Sequence, residues 1–111
     1  SSSELFDAIS HEAIKKLDTF NSQGLSNTVW AYAKVGHISS ELFDAISYKA
    51  IEKIDSFNNQ GLATTVCAYA KVRHLSPELF EAISHKVIEK LDTFKSQNIA
   101  NTIWAYAKVG H

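Results

Sequence analysis

The chain has 111 residues, 45% of them apolar and 21% charged, with a net charge of −1. That balance supplies a core, argues against disorder and gives no global pull toward nucleic acid or membrane. No apolar run approaches the roughly 20 residues needed to span a bilayer, no N-terminal stretch reads as a secretion signal, and the lone cysteine, Cys67, excludes an intrachain disulfide. The sequence contains no Met, so it is expected to be a processed or excised piece of a longer protein.

The chain is one phrase written three times. Residues 2–38, 39–75 and 76–111 align without a gap, and the first two copies agree at 26 of 37 positions. A fixed period between about 20 and 50 residues signals a stacked array of identical units rather than one globule with one pocket. Residues 1–111 are therefore expected to form a single repeat array, a fragment of a longer one.

Within each unit two helices are predicted. The first runs from Ser3 to about Leu17, with equivalents from Ser40 and Pro77, because Leu5, Phe6, Ile9, Ala13, Ile14 and Leu17 recur at helical spacing. Ser2, Ser39 and Ser76 stand where a serine oxygen could cap it. Ser76-Pro77-Glu78 adds proline at the first helical position, followed by an acid. The second helix starts near Asn21, Asn58 or Lys95 and ends near Val35, Val72 or Val109, with Leu25, Val29, Tyr32 and Ala33 on one face. Gly36 and Gly110 sit where a left-handed residue ends a helix, and Arg73 takes that place in the middle copy. Short connectors force antiparallel neighbours. The expected fold is all-α: an α-solenoid of three helix-turn-helix repeats, six helices in all. Neither end has a polar cap, so further repeats or further copies are expected to stack on the ends.

Charge is sorted between the two helices. All 12 acids lie in the first segments, and the second segments carry only Lys34, Lys71, Arg73, Lys95 and Lys108. Lysines complement helix C-termini, but that does not account for three helices without an acid. A basic layer is the footprint expected for a polyanion.

On a wheel of the second helix, Gln23, Asn27, Trp30 and Lys34 fall opposite the buried side. The other copies place Gln60, Thr64, Cys67 and Lys71, and Gln97, Asn101, Trp104 and Lys108, in the same way. Amides and hydroxyls can bond base edges, an indole can stack on a base, and a lysine can meet a phosphate. Trp30 and Trp104 are nevertheless expected to pack between adjacent repeats, since large aromatics dominate cores. Thr28, Thr65 and Thr102 are expected to bond carbonyls of their own helices.

The phrase from Phe20 to Gly36, with its Trp30-Ala31-Tyr32-Ala33-Lys34-Val35-Gly36 ending, resembles the octotricopeptide repeat and its 37-residue relative, the heptatricopeptide repeat. Ser76-Pro77-Glu78-Leu79-Phe80 is similar to the helix entry of those families, and the likeness covers all three copies. It departs at Ser39-Ser40, which lacks proline, and at Cys67, which replaces tryptophan. The resemblance implies an α-solenoid that binds single-stranded organellar RNA and acts in transcript maturation, stability or translation in chloroplasts or mitochondria. By a looser likeness to the pentatricopeptide repeat, Asn27, Thr64 and Asn101 would be first base-reading positions, and Ser22, Asn59 and Ser96 the second.

A strict repeat sets like groups in rows, whereas catalysis needs unlike groups converging on a point. The chain is therefore expected to be no enzyme and to need no cofactor or metal. His37, His74 and His111 recur at the inter-repeat turn without matching ligands and are expected to be solvated. His11 and His85 stand four residues after Asp7 and Glu81, a spacing that suits helix-surface pairing. A rival reading is a protein-binding scaffold or subunit of a large organellar assembly, its acidic layer meeting a basic partner.

Overall fold

The computed structural model describes Ser2–Gly110. These residues form six α-helices and, among themselves, no strand: α1 Ser2–Lys15, α2 Ser22–Val35, α3 Ser40–Glu52, α4 Asn59–Val72, α5 Pro77–Glu89 and α6 Ser96–Val109. Each copy of the sequence phrase supplies one pair. The first helix of each pair stops sooner than its apolar spacing predicts. Residues Leu17–Thr19, Ile54–Ser56 and Leu91–Thr93 tighten into single 3₁₀ turns. A hydroxyl closes each turn: Thr19, Ser56 and Thr93 donate to the carbonyls of Lys16, Lys53 and Lys90 at 2.6, 2.7 and 2.7 Å.

The asparagine caps are present as predicted. Asn21 and Asn58 Oδ1 each accept from the backbone N–H three residues on, at Gly24 and Gly61, at 2.7 Å. Lys95, which has no acceptor, leaves α6 without a side-chain cap. The serine caps are not formed. Ser2 lies inside α1, and Ser39 and Ser76 make no cap bond. Ser76 Oγ turns instead to Ser47 Oγ, 2.8 Å away. Gly36 and Gly110 end α2 and α6 with φ of 72° and 70°. Arg73 ends α4 at φ 57°, a left-handed conformation that costs an L-residue roughly 1–2 kcal/mol.

The helices sort into two layers. α2, α4 and α6 lie side by side along their lengths; α1, α3 and α5 form the other layer and touch at fewer points. The array measures 42 × 26 × 21 Å. Leu42, Ile46, Leu62 and Val66 of the middle pair are completely buried, which is worth about 1.5–3 kcal/mol for each large aliphatic. Ala63, Ala68 and Ala70 are buried where α4 meets its neighbours, and their size permits the close approach. One apolar cluster runs from Ala13 through Leu42 and Val66 to Ala105.

Buried polar groups fasten the two layers. Tyr32, Tyr69 and Tyr106 hydroxyls cross from the second helix to the carbonyls of Phe6, Phe43 and Phe80 at 2.8, 2.6 and 2.7 Å. Ser10 and Ser47 join the first two of these bonds. The threonines behave as predicted: Thr28, Thr65 and Thr102 donate to the carbonyls four residues back, each at 2.7 Å.

The histidine turns differ from expectation. His37 and His74 are not solvated, because the left-handed cap folds the chain back over the first helix. Their Nε2 atoms lie 3.0 and 2.7 Å from Oδ1 of Asp7 and Asp44. The His37 ring stacks on Phe6 at 5.4 Å. Asp7 thus pairs with His37 rather than with His11, whereas His85 does meet Glu81, at 3.3 Å. His111 lies outside the described residues.

Candidate nucleic-acid interface

The second-helix layer presents its polar stripe outward. Gln23, Asn27 and Lys34 on α2, Gln60 and Lys71 on α4, and Gln97, Asn101 and Lys108 on α6 are all exposed, and Thr64 is half-buried. Side-by-side packing of these helices turns the stripe into grooves. The first, of about 340 Å³, runs between the starts of α2 and α4, and Gln23, Asn27, Gln60 and Thr64 line it. The second, of about 650 Å³, lies between α4 and α6 and is lined in turn by Gln60, Thr64, Gln97 and Asn101. Lys90 and Lys95 stand at its edge. Lys90 comes from the acidic layer, so a reading of the second helix alone does not find it.

A third groove, of about 610 Å³, crosses the later turns of all three second helices. Its floor is at Cys67, and Trp30 and Trp104 stand on either side with Lys34, Lys71 and Lys108. The middle copy has a small side chain where its neighbours have indoles, and that difference opens the space. The Cys67 Sγ–H donates to the Asn101 carbonyl at 3.2 Å, and burial pushes the thiol pKa up. This groove spans helices 37 and 74 residues apart, a juxtaposition that no local motif announces.

The tryptophans are not packed away between repeats as expected. Trp30 and Trp104 are 47% and 46% exposed. The apolar positions of their own helices already fill the space between layers, so the indoles lie along the surface. Lys34 Nζ sits 4.8 Å from the Trp30 ring centre and Lys108 Nζ 5.5 Å from that of Trp104. Such contacts are worth about 0.5–1 kcal/mol at exposed sites, so another partner can displace them.

The weaker candidates divide. Ser22 Oγ donates to the Ser56 carbonyl at 3.0 Å, and the Asn59 amide donates to the Thr93 carbonyl and hydroxyl at 3.1 and 2.9 Å. Both join one repeat to the next, and Ser22 also lines the first groove and Asn59 the second. The Asn59 amide oxygen is buried with no hydrogen-bond partner. Ser96 and Arg73 are exposed but line none of the three grooves.

The two layers differ in how much charge they neutralise. Asp18 and Asp55 pair with Lys49 and Lys86 of the following repeat, and these lysines also meet Glu52 and Glu89 at 3.1 and 3.3 Å. Hydrogen bonding by Lys49 holds the Asp18 carboxyl below the usual carboxylate range. Lys34, Lys71 and Lys108 stand on helices that carry no acid. Among the described residues no group of three or more His, Cys, Asp or Glu side chains is placed to hold a metal ion, and no helix is long and apolar enough to cross a membrane.

No curated protein matches the chain. A family model described as RNA-editing substrate-binding complex 6 protein (RESC6) matches residues 1–111 in full, and the chain belongs to that family.

Proposed function

We propose that residues 1–111 form an α-solenoid of three repeats, part of a longer array, that binds single-stranded RNA along α2, α4 and α6 within an RNA-editing substrate-binding assembly. The observation that carries the reading is the acid-free, lysine-bearing layer whose amides, hydroxyl and indoles line three neighbouring grooves. That layer is also the more closely packed of the two, so an extended ligand could run from one second helix to the next. Bases would lie against Asn27, Thr64 and Asn101, with Gln23, Gln60 and Gln97 as further edge contacts. A base stacking on Trp30 or Trp104 would displace Lys34 or Lys108 from the ring and free its ammonium for a phosphate. The module works by binding and not by catalysis. The family's description supports an RNA-editing assembly, and we propose that the protein works in the mitochondrion.

Three repeats would touch about three nucleotides. At about 1–3 kcal/mol per stacked base, less the cost of ordering, binding by this segment alone is weak. The experiment is a titration of labelled single-stranded RNA with a longer array of this repeat, competed by duplex. Binding that duplex does not displace supports the reading, and Asn101→Thr should shift base preference at a single position. Absence of binding at low salt would overturn it.

The second reading is a protein-binding subunit of the same assembly. It is favoured by apolar side chains exposed away from the ends, Ile38, Tyr48 and Leu75. The acidic layer supports it less, since Asp7, Asp18, Asp44 and Asp55 already have partners within the chain.

A further inference from the structure

The row of indoles along the second-helix layer has a gap in its middle. Trp30 on α2 and Trp104 on α6 stand at one position of the repeat, and Cys67 holds that position on α4. The gap is the groove of about 610 Å³ over Cys67. It lies over α4, which has a second helix packed along each side, so its walls belong to the array and not to either end.

The centre of this groove is apolar and its rim is cationic. Ala33 and Ala68 are buried beneath it, and the Cys67 thiol directs its one hydrogen to the Asn101 carbonyl. The lysines of the rim are not equivalent. Lys34 and Lys108 lie over the indoles of their own helices. Lys71 follows Cys67 by one turn, so it has no indole beneath it, and it makes no ion pair among the described residues. Its exposed ammonium is free for an anion beside an open apolar slot.

We propose that the gap seats a purine: one base of the bound strand enters over Cys67, between the two indoles, with its phosphate at Lys71. This rests on the reading that the second-helix layer binds single-stranded RNA. Charge selects the occupant, since three lysines and no acid line the groove, and a nucleotide joins a flat ring to an anion. Ring size then selects among nucleotides. Stacking platforms accept every base, and the preferences they show follow stacking strength. A purine offers two fused rings to aromatic walls where a pyrimidine offers one. A tryptophan at residue 67 would fill the slot, so Cys67 sets the specificity of the middle repeat by leaving room.

Fluorescence anisotropy with the full protein tests it, using a labelled uridine run as reference and the same run carrying a single A, G or C at its centre. The A and G probes should bind about five-fold tighter than the reference, the scale of a modest difference in stacking, and the C probe should match it. Cys67→Trp, which copies the residue of the neighbouring repeats, should remove the preference. It should leave the affinity and salt slope of the uridine run as they were, which also shows the fold intact. Cys67→Ala keeps the space and should keep the preference. Equal affinities for all probes, a preference that survives Cys67→Trp, or one lost in Cys67→Ala would overturn the proposal and leave the RNA-binding layer standing. Failure of every probe to bind at low salt would overturn both.

Discussion

Removing one hydroxyl from the centre of the array tests how the two layers are held together. In Tyr69→Phe the ring stays and its edge contact with Phe43, at 4.8 Å, is kept, so no cavity opens. What disappears is the 2.6 Å bond to the Phe43 carbonyl and the 3.0 Å bond from Ser47. Tyr69 is completely buried, and burial pushes its hydroxyl pKa well up from the ordinary value, so water does not replace those partners. Stripping a buried group of its partner costs about 1–3 kcal/mol. Ser47 Oγ remains 3.0 Å from the same carbonyl, which places the loss near the middle, about 2 kcal/mol. For a domain of this size that is a fall in Tm of about 8 °C or more. Tyr106→Phe removes the corresponding bond where water can reach, so it should cost about 1 kcal/mol or less. Thermal melts and urea titrations of both variants check the order. Equal losses at the two positions, or a Tyr69→Phe loss below about 0.5 kcal/mol, would refute the reasoning.

Other consequences are more local. Arg73→Gly relieves the left-handed cap of α4 and should raise stability by about 1 kcal/mol in urea unfolding, part of the relief being offset by the freer unfolded chain. The Cys67 thiol, raised by burial and bonded to the Asn101 carbonyl, should react with maleimide at pH 7 far more slowly than it does in the unfolded chain. Asp18 is held below its ordinary value of 3.8 by Lys49, so the pair contributes stability above that pH. That contribution is lost as acid takes the pH down through the lowered folded value, and Asp18→Asn should flatten this part of a pH titration of stability.

Much of this structure is written in the sequence, because a period of 37 with alternating helical faces leaves few ways to fold. The six helices, the asparagine caps at Asn21 and Asn58 and the outward stripe of Gln23, Asn27 and Lys34 all follow from local spacing. The departures lie where a distant group competes with a local one. Ser76 could cap its own helix but finds Ser47 on α3. His37 could face water but folds back onto Asp7 and Phe6, 30 residues and more away. Trp30 has the composition of a core residue, yet Val29 and Ala33 fill the interior side of α2 before it can. The groove over Cys67 depends on three helices at once, and only their side-by-side packing makes it visible.

The claim that matters most is that the lysine-bearing second-helix layer holds the RNA backbone. Fluorescence anisotropy of a labelled single-stranded RNA, titrated across a range of salt, measures it directly. For single strands each phosphate contact contributes about 0.7 to the slope of log K against log salt, so replacing Lys34, Lys71 and Lys108 by Ala should lower that slope by about 2 and weaken binding to all sequences alike. A slope unchanged by the triple substitution would contradict the account and move the search to protein partners.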